Sequence, residues 1–175
     1  FLLNAGHETT TSLVGNAVGT LLDNPGEHRR LIDDPDLITT AVEEFLRVES
    51  PLQIGNRLAG DDIELTDRVL PKGTYVHTSI AAANRDPAQF ADPDRVDLGR
   101  KPNRQIAFIT GIHVCLGATL ARIEGRIAIG KLVSRFPRLA QAGELEDLGP
   151  GVRGLCGQPF PDPSGFALTG PSPGI

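Results

Sequence analysis

One cysteine in this sequence has neighbours that suit chemistry. Cys115 lies in the run F-I-T-G-I-H-V-C-L-G-A-T-L-A-R, residues 108–122, with Gly111 before it and Gly117 after it. Glycine lets a main chain turn tightly and a bulky partner approach, so something large has room against this loop. Leu116, Leu120, Ile123 and Ile127 follow at helical spacing, and the pattern runs to Phe136 before Pro137 stops it. That spacing places Cys115 where a helix begins, and the unpaired N–H groups of a helix start favour a thiolate. Three readings of the thiol stand side by side. It is a small buried hydrophobe, a metal ligand, or a nucleophile with His113 as its base. A zinc site would want more ligands, and the other cysteine, Cys156, is far downstream. For a Cys–His pair, residues two apart in a turn need not face each other, and no orienting acid accompanies them.

Other candidate groups depend on the elements that carry them. Leu2, Leu3, Leu13, Val14, Ala17, Val18, Leu21 and Leu22 predict a long first helix, ended by D-N-P-G at residues 23–26. Gly6, the threonines at 9–11, Gly15 and Gly19 are poor helix formers, which implies close packing or a local distortion. Glu8 and Thr9 sit in that stretch. A hydroxyl beside a carboxylate suits a proton relay, and equally Glu8 is a solvated charge while Thr9 bonds back to the previous turn. Asn24, Pro25 and Glu27 predict the capped start of a short helix ending near Asp33. Leu37, Ile38, Ala41, Val42, Phe45 and Leu46 then form an amphipathic helix stopped by Ser50 and Pro51. Glu44 and Arg47 share a face of it, where an exposed pair is worth only about 0.2–0.5 kcal/mol. Residues 57–65 and 74–80 alternate and are rich in β-branched types, so they predict a small sheet around a turn at Pro71, Lys72 and Gly73. Arg57 on the first of these strands reads by itself as an edge charge that discourages aggregation. Residues 82–100 hold breaks and no long helical period, which predicts an ordered meander.

Together these residues resemble the cytochrome P-450 superfamily of haem-thiolate monooxygenases. F-x-x-G-x-H-x-C-x-G at 108–117 is similar to its haem-binding loop, A-G-H-E-T at 5–9 to its oxygen-binding groove, E-E-F-L-R at 43–47 to its E-x-x-R helix, and A-N-R-D-P with F-x-x-P-x-R at 82–95 to its meander. The four motifs stand in the family's order and cover nearly the whole chain. The resemblance implies the C-terminal part of a P-450 fold, mainly α with a small β region, over residues 1–160, followed by a loose tail at 161–175. It implies a haem b cofactor, iron protoporphyrin IX, with Cys115 as axial thiolate, the ligation that favours O–O cleavage. Phe108 would pack beside the thiolate, Gly111 and Gly117 would leave room for the porphyrin, and His113 and Arg57 would bind its propionates. Glu8 and Thr9 would organise water and relay protons. Glu44, Arg47 and Arg95 would form a buried network holding the haem-side core. Residues 152–160 would line the substrate pocket. Two positions depart from the pattern: Ile109 stands where the family usually has glycine, and Val96 where it often has phenylalanine. A β-branched residue disfavours positive φ, so a reshaped loop is expected.

The remaining classes are bounded by composition. At 175 residues and 39% hydrophobic content, the chain can build one domain with a real core. A formal charge of −5 without basic clusters argues against nucleic acid and anionic membranes as partners. No apolar run is long enough to span a bilayer, and the N-terminal residues are not those of a cleavable leader, so a cytoplasmic protein with reduced thiols and an inert Cys156 is expected. Phe1 and the run F-L-L-N-A-G read as the middle of a helix, so a fragment is expected. The activity implied is insertion of one oxygen atom of O2 into a small organic substrate, with electrons from a ferredoxin or flavoprotein donor. Two other classes remain open. One is a non-catalytic remnant that binds haem weakly or only associates with another chain. The other is a cysteine-based thiol enzyme, whose Cys115 would be alkylated without dependence on haem.

Overall fold

The protein is described here by a computed structural model, which covers residues 2–139. The expectations for residues 152–160, for Cys156 and for the tail at 161–175 lie outside the described residues.

Four helices make the frame. α1 (Leu2–Asp23) is long, α2 (Pro25–Asp33) follows at once, a 3-10 turn (Pro35–Leu37) leads into α3 (Ile38–Val48), and α5 (Ala118–Arg135) comes last. A single turn, α4 (Ile80–Ala83), precedes the meander. Only the second half of α1 is core. Leu13, Ala17 and Leu21 recur every four residues and are buried against Ala41, Val42 and Phe45 of α3 and Ile129 and Val133 of α5. Residues 5–9 are exposed, and Gly6 has nothing near its missing side chain. Close packing at Gly6 is therefore not what its low propensity signifies among these residues. α1, α3 and α5 meet at Gly125, where an added Cβ would lie 3.1 Å from Leu13 and 3.5 Å from Val42. Asn24 does not cap α2 with its side chain. Its amide donates instead to Thr20 O at the end of α1, 2.8 Å away.

The β region is smaller and divided differently from the sequence expectation. β1 (Ile54–Leu58) pairs antiparallel with β4 (Tyr75–Ser79), in register Ile54 with Ser79 and Leu58 with Tyr75. β2 (Ile63–Glu64) and β3 (Val69–Leu70) form a separate two-residue ladder. The expected continuous strand over 57–65 breaks at Ala59, whose N–H and C=O turn to Thr74 O and Gly73 N at 2.9 and 2.8 Å. Residues 84–106 form the meander, strapped to the helices by side-chain bonds.

Candidate functional site

The cysteine loop is built outward from a buried ion pair on α3. Glu44 and Arg47 are both fully buried. Arg47 donates from Nε and Nη2 to the two Glu44 oxygens at 2.8 Å each, and from Nη1 to Asn84 O (3.0 Å) and Pro93 O (2.6 Å). Glu44 also accepts from Asp97 N (3.0 Å), Arg100 Nε (3.1 Å) and Asn103 Nδ2 (3.0 Å). Charges taken out of water this completely persist only with each other and with every remaining lone pair satisfied. Their consequence is positional, since the network ties α3 to the whole meander that delivers residues 104–108 to the loop. Asn84 continues the tie: it donates to Ser50 Oγ at 2.9 Å and accepts from Ile106 N at 2.8 Å.

Arg95 corrects the sequence reading. It enters the network only through its main-chain carbonyl, which accepts from Arg47 and Arg100 at 3.1 and 2.8 Å, while its residue is exposed. Arg100, on the last turn of the meander, supplies the second guanidinium.

Beside Glu44, Glu43 serves the far side of the loop. Neighbours on a helix point about 100° apart, so two adjacent carboxylates cannot share one partner. Glu43 accepts from Arg122 Nε (2.6 Å) and Nη2 (3.1 Å) on α5 and from Gln105 Nε2 (2.9 Å). Burial works against the charge on Glu43, but hydrogen bonds from Arg122 and Gln105, with the positive charges of Arg122 and Arg126, outweigh it and hold the carboxyl below the ordinary glutamate range. Sequence reasoning missed Glu43, Asn84, Arg100, Asn103, Gln105 and Arg122. The doubled acid at 43–44 was the one signal that pointed toward a second network.

The loop itself turns twice through the left-handed region. Ile109 has φ 60° and Gly111 φ 76°. The isoleucine takes a positive φ that its β-branched side chain disfavours, and bears the strain. Hydrogen bonds on both sides impose it, from Ile109 N to Ile106 O at 2.8 Å and from Cys115 N to Phe108 O at 3.0 Å. Residues 111–117 are all exposed. α5 begins at Ala118, with Gly117 as its cap, so Cys115 precedes the helix and its carbonyl accepts from Ala118 N at 3.2 Å. The Phe108 ring lies under the Arg122 guanidinium, 4.5 Å from its carbon. The apolar stripe after Cys115 is not core: Leu116 is 92% exposed, and Leu120, Ile123 and Ile127 are exposed as well, while Gly125, Ile129 and Val133 face inward.

The other candidates lie on separate elements. Glu8 and Thr9 are exposed on α1, and Thr9 Oγ1 donates to Ala5 O at 2.8 Å, the back-bonding alternative. Arg57 on β1 is exposed and donates to Asn56 O at 2.7 Å. His113 ends a 3-10 turn (Gly111–His113) on the exposed face of the loop.

Residues 1–147 match the family described as Cytochrome P450. The chain belongs to that family. Among P450 relatives, cytochrome P450 107B1 of Saccharopolyspora erythraea is 47% identical over 84% of this chain and 36% of its own length. The vitamin D(3) 25-hydroxylase of Pseudonocardia autotrophica is also 47% identical, over 84% of this chain and 37% of its own. Of solved P450 structures, P450BioI in complex with an acyl carrier protein carrying hexadec-9Z-enoic acid superposes with TM-score 0.77 at 47% identity, covering 79% of this chain and 36% of that one. CYP109E1 from Bacillus megaterium in complex with testosterone superposes with TM-score 0.79 at 39% identity, covering 81% and 39%. The chain thus spans little more than a third of the length of these P450s. Among its described residues, no helix is long and apolar enough to cross a membrane.

Proposed function

We propose that this chain is the haem-side part of a bacterial-type P450 monooxygenase that inserts one oxygen atom of O2 into a small organic substrate. The observation that carries the proposal is the Cys115 loop: an exposed thiol on a backbone closed by Cys115 N to Phe108 O, on a frame tied to a fully buried ion pair. The donor set fits haem b. Among the described residues no group of three or more His, Cys, Asp or Glu could hold a bare metal ion. One soft thiolate suits a metal whose other ligands come from a macrocycle. Ile112, Val114 and Leu116 flank the thiol with exposed apolar surface, and neither Gly111 nor Gly117 carries a side chain that would obstruct a flat group.

Cys115 would bind the iron through its thiolate, and His113 and Arg57 would take the propionates. Bound there, thiolate-ligated haem supplies oxygen activation, which the protein orients and protects. Phe108 holds the Cys115 amide through its carbonyl, which fixes the main chain that carries the thiol. Thr9, whose hydroxyl donates a hydrogen bond to Ala5 O, keeps its lone pairs free to accept from water, and the exposed Glu8 carboxyl beside it would serve the relay. Electrons would come from a ferredoxin or flavoprotein. The substrates and ligands named for the relatives are chemically unlike one another, so it is the reaction that comes to this chain by family, not a substrate. Cytoplasmic residence fits this reading.

A second reading, a remnant that binds haem weakly or only associates with another chain, is favoured by the uncovered stripe at Leu116, Leu120, Ile123 and Ile127. Absorption spectra of the haem-loaded chain, reduced and exposed to carbon monoxide, separate the two. The monooxygenase reading expects a strongly red-shifted Soret band that is lost in Cys115→Ala. A band like that of free or histidine-ligated haem rejects the site in this chain.

A further inference from the structure

We propose that Arg122 is a positioning residue for Cys115: clamped by Glu43, its guanidinium lies over the Phe108 ring and holds the cysteine loop closed. The inference rests on the monooxygenase reading for its purpose and on the geometry for its substance. Residues 111–117 are exposed, so burial does not fix their conformation. Restraint has to come from the two ends. At the entrance, Gln105 donates to Glu43 at 2.9 Å while its own carbonyl accepts from Ala107 N at 2.6 Å, which sets the chain just before Phe108. At the exit, Arg122 on the second turn of α5 binds the same glutamate through two parallel bonds, 2.6 and 3.1 Å, and these fix the plane of the guanidinium. That plane covers the Phe108 ring at 4.5 Å. Phe108 in turn accepts the Cys115 amide proton at 3.0 Å. One carboxylate therefore holds both ends of the loop, through an arginine that lies over the Phe108 ring and a Phe108 carbonyl that binds the Cys115 amide.

Lysine cannot substitute for this arginine. An ammonium offers a point charge where the site uses a planar fork and a flat face. An ordinary surface ion pair would behave oppositely, since Lys would serve nearly as well and little stability would be at stake.

The test uses the full chain with and without haem. In the haem-free chain, hydrogen exchange at the Cys115 amide should quicken about fivefold in Arg122→Ala, as expected for loss of a partly exposed cation–π contact, and similarly in Arg122→Lys, while α3 amides stay protected. In a Phe108→Leu background, Arg122→Ala should add little. With haem bound, Arg122→Ala should shift the iron reduction potential and reduce the share of the red-shifted carbon monoxide band. Unchanged exchange at Cys115, full rescue by lysine, or uniform quickening across α3 and α5 each overturns the proposal. So does an unchanged potential and band in a haem-loaded variant. If the parent chain gives no thiolate band, the monooxygenase reading fails while the exchange result still decides the clamp. Should Arg122→Ala not fold, Glu43→Gln, which keeps an acceptor but not the charge, is measured in its place against the same outcomes.

Discussion

Ile109 carries a conformation that its side chain opposes, and the cost can be read from two substitutions. A non-glycine residue in the left-handed region costs about 1–2 kcal/mol. Ile109→Ala and Ile109→Gly both delete the half-buried side chain, but only glycine also removes the strain. Glycine ordinarily loses about 0.4–1 kcal/mol to alanine through the entropy of the unfolded chain. Here the strain is the larger quantity, so the Gly variant should exceed the Ala variant in stability by roughly 1 kcal/mol in urea unfolding. An Ala variant more stable than the Gly variant by about 0.4–1 kcal/mol would mean that the position bears no strain. The arginines of the buried network give a second contrast. Arg47→Ala leaves the fully buried Glu44 with only Arg100 as a cationic partner and should cost about 3–5 kcal/mol. Arg95→Ala removes an exposed side chain while its carbonyl stays in place, and should fall within about 0.5 kcal/mol of the parent. A large loss in Arg95→Ala would restore the side chain to the network.

At the scale of elements, α3 and α5 are joined by glycines with opposite surroundings. A Cβ at Gly125 would press on Leu13 at 3.1 Å, in the crossing of three helices, whereas one at Gly130 would meet Ile38 at an ordinary 3.6 Å. Gly125→Val should therefore cost about 1–3 kcal/mol by overpacking, while Gly130→Ala should gain roughly 0.5–1 kcal/mol from helix propensity; thermal unfolding of the two variants checks the opposite signs. The same pair of helices has a pH dependence. The folded pKa of Glu43 is depressed, so the stability it gives is complete above the unfolded glutamate value, about 4.3, and is lost as pH falls through that value toward the folded one. Glu43→Gln should flatten the stability curve in that acid window and leave it parallel to the parent near neutrality. Helices were legible in the sequence because their period and their stops are local. The ladders were not, because pairing Ile54 with Ser79 depends on a partner 25 residues away. The motifs mark the buried pair, Glu44 and Arg47, and the loop that carries the exposed thiol of Cys115. The site was not legible in Arg100 or Arg122, whose partners are fixed only when the meander and α5 fold back onto α3.

Across the whole molecule, α5 shows why the chain has two unlike faces. Ile129 and Val133 are buried, but Leu120, Ile123 and Ile127 on the opposite side are exposed, so the helix has two apolar sides and only one of them is packed. An apolar side of a helix is normally covered. The stripe continues past Leu116 to the cysteine loop, and among the described residues nothing covers it. Contiguous apolar surface of this extent promotes association in water. The chain by itself should accordingly self-associate through the stripe. Leu120→Gln with Ile127→Lys should shift it toward monomer in sedimentation velocity, and because both positions are exposed the unfolding midpoint should change by no more than about 0.5 kcal/mol in equivalent stability. The same pair separates the stripe from the site. On the proposed reading, haem uptake through Cys115 depends on the loop and its anchors on α3, so the double variant should still give the thiolate band if the parent does. Loss of the band with a retained fold would make the stripe part of the haem site. A double variant that unfolds would mean that the apolar face already packs within this chain.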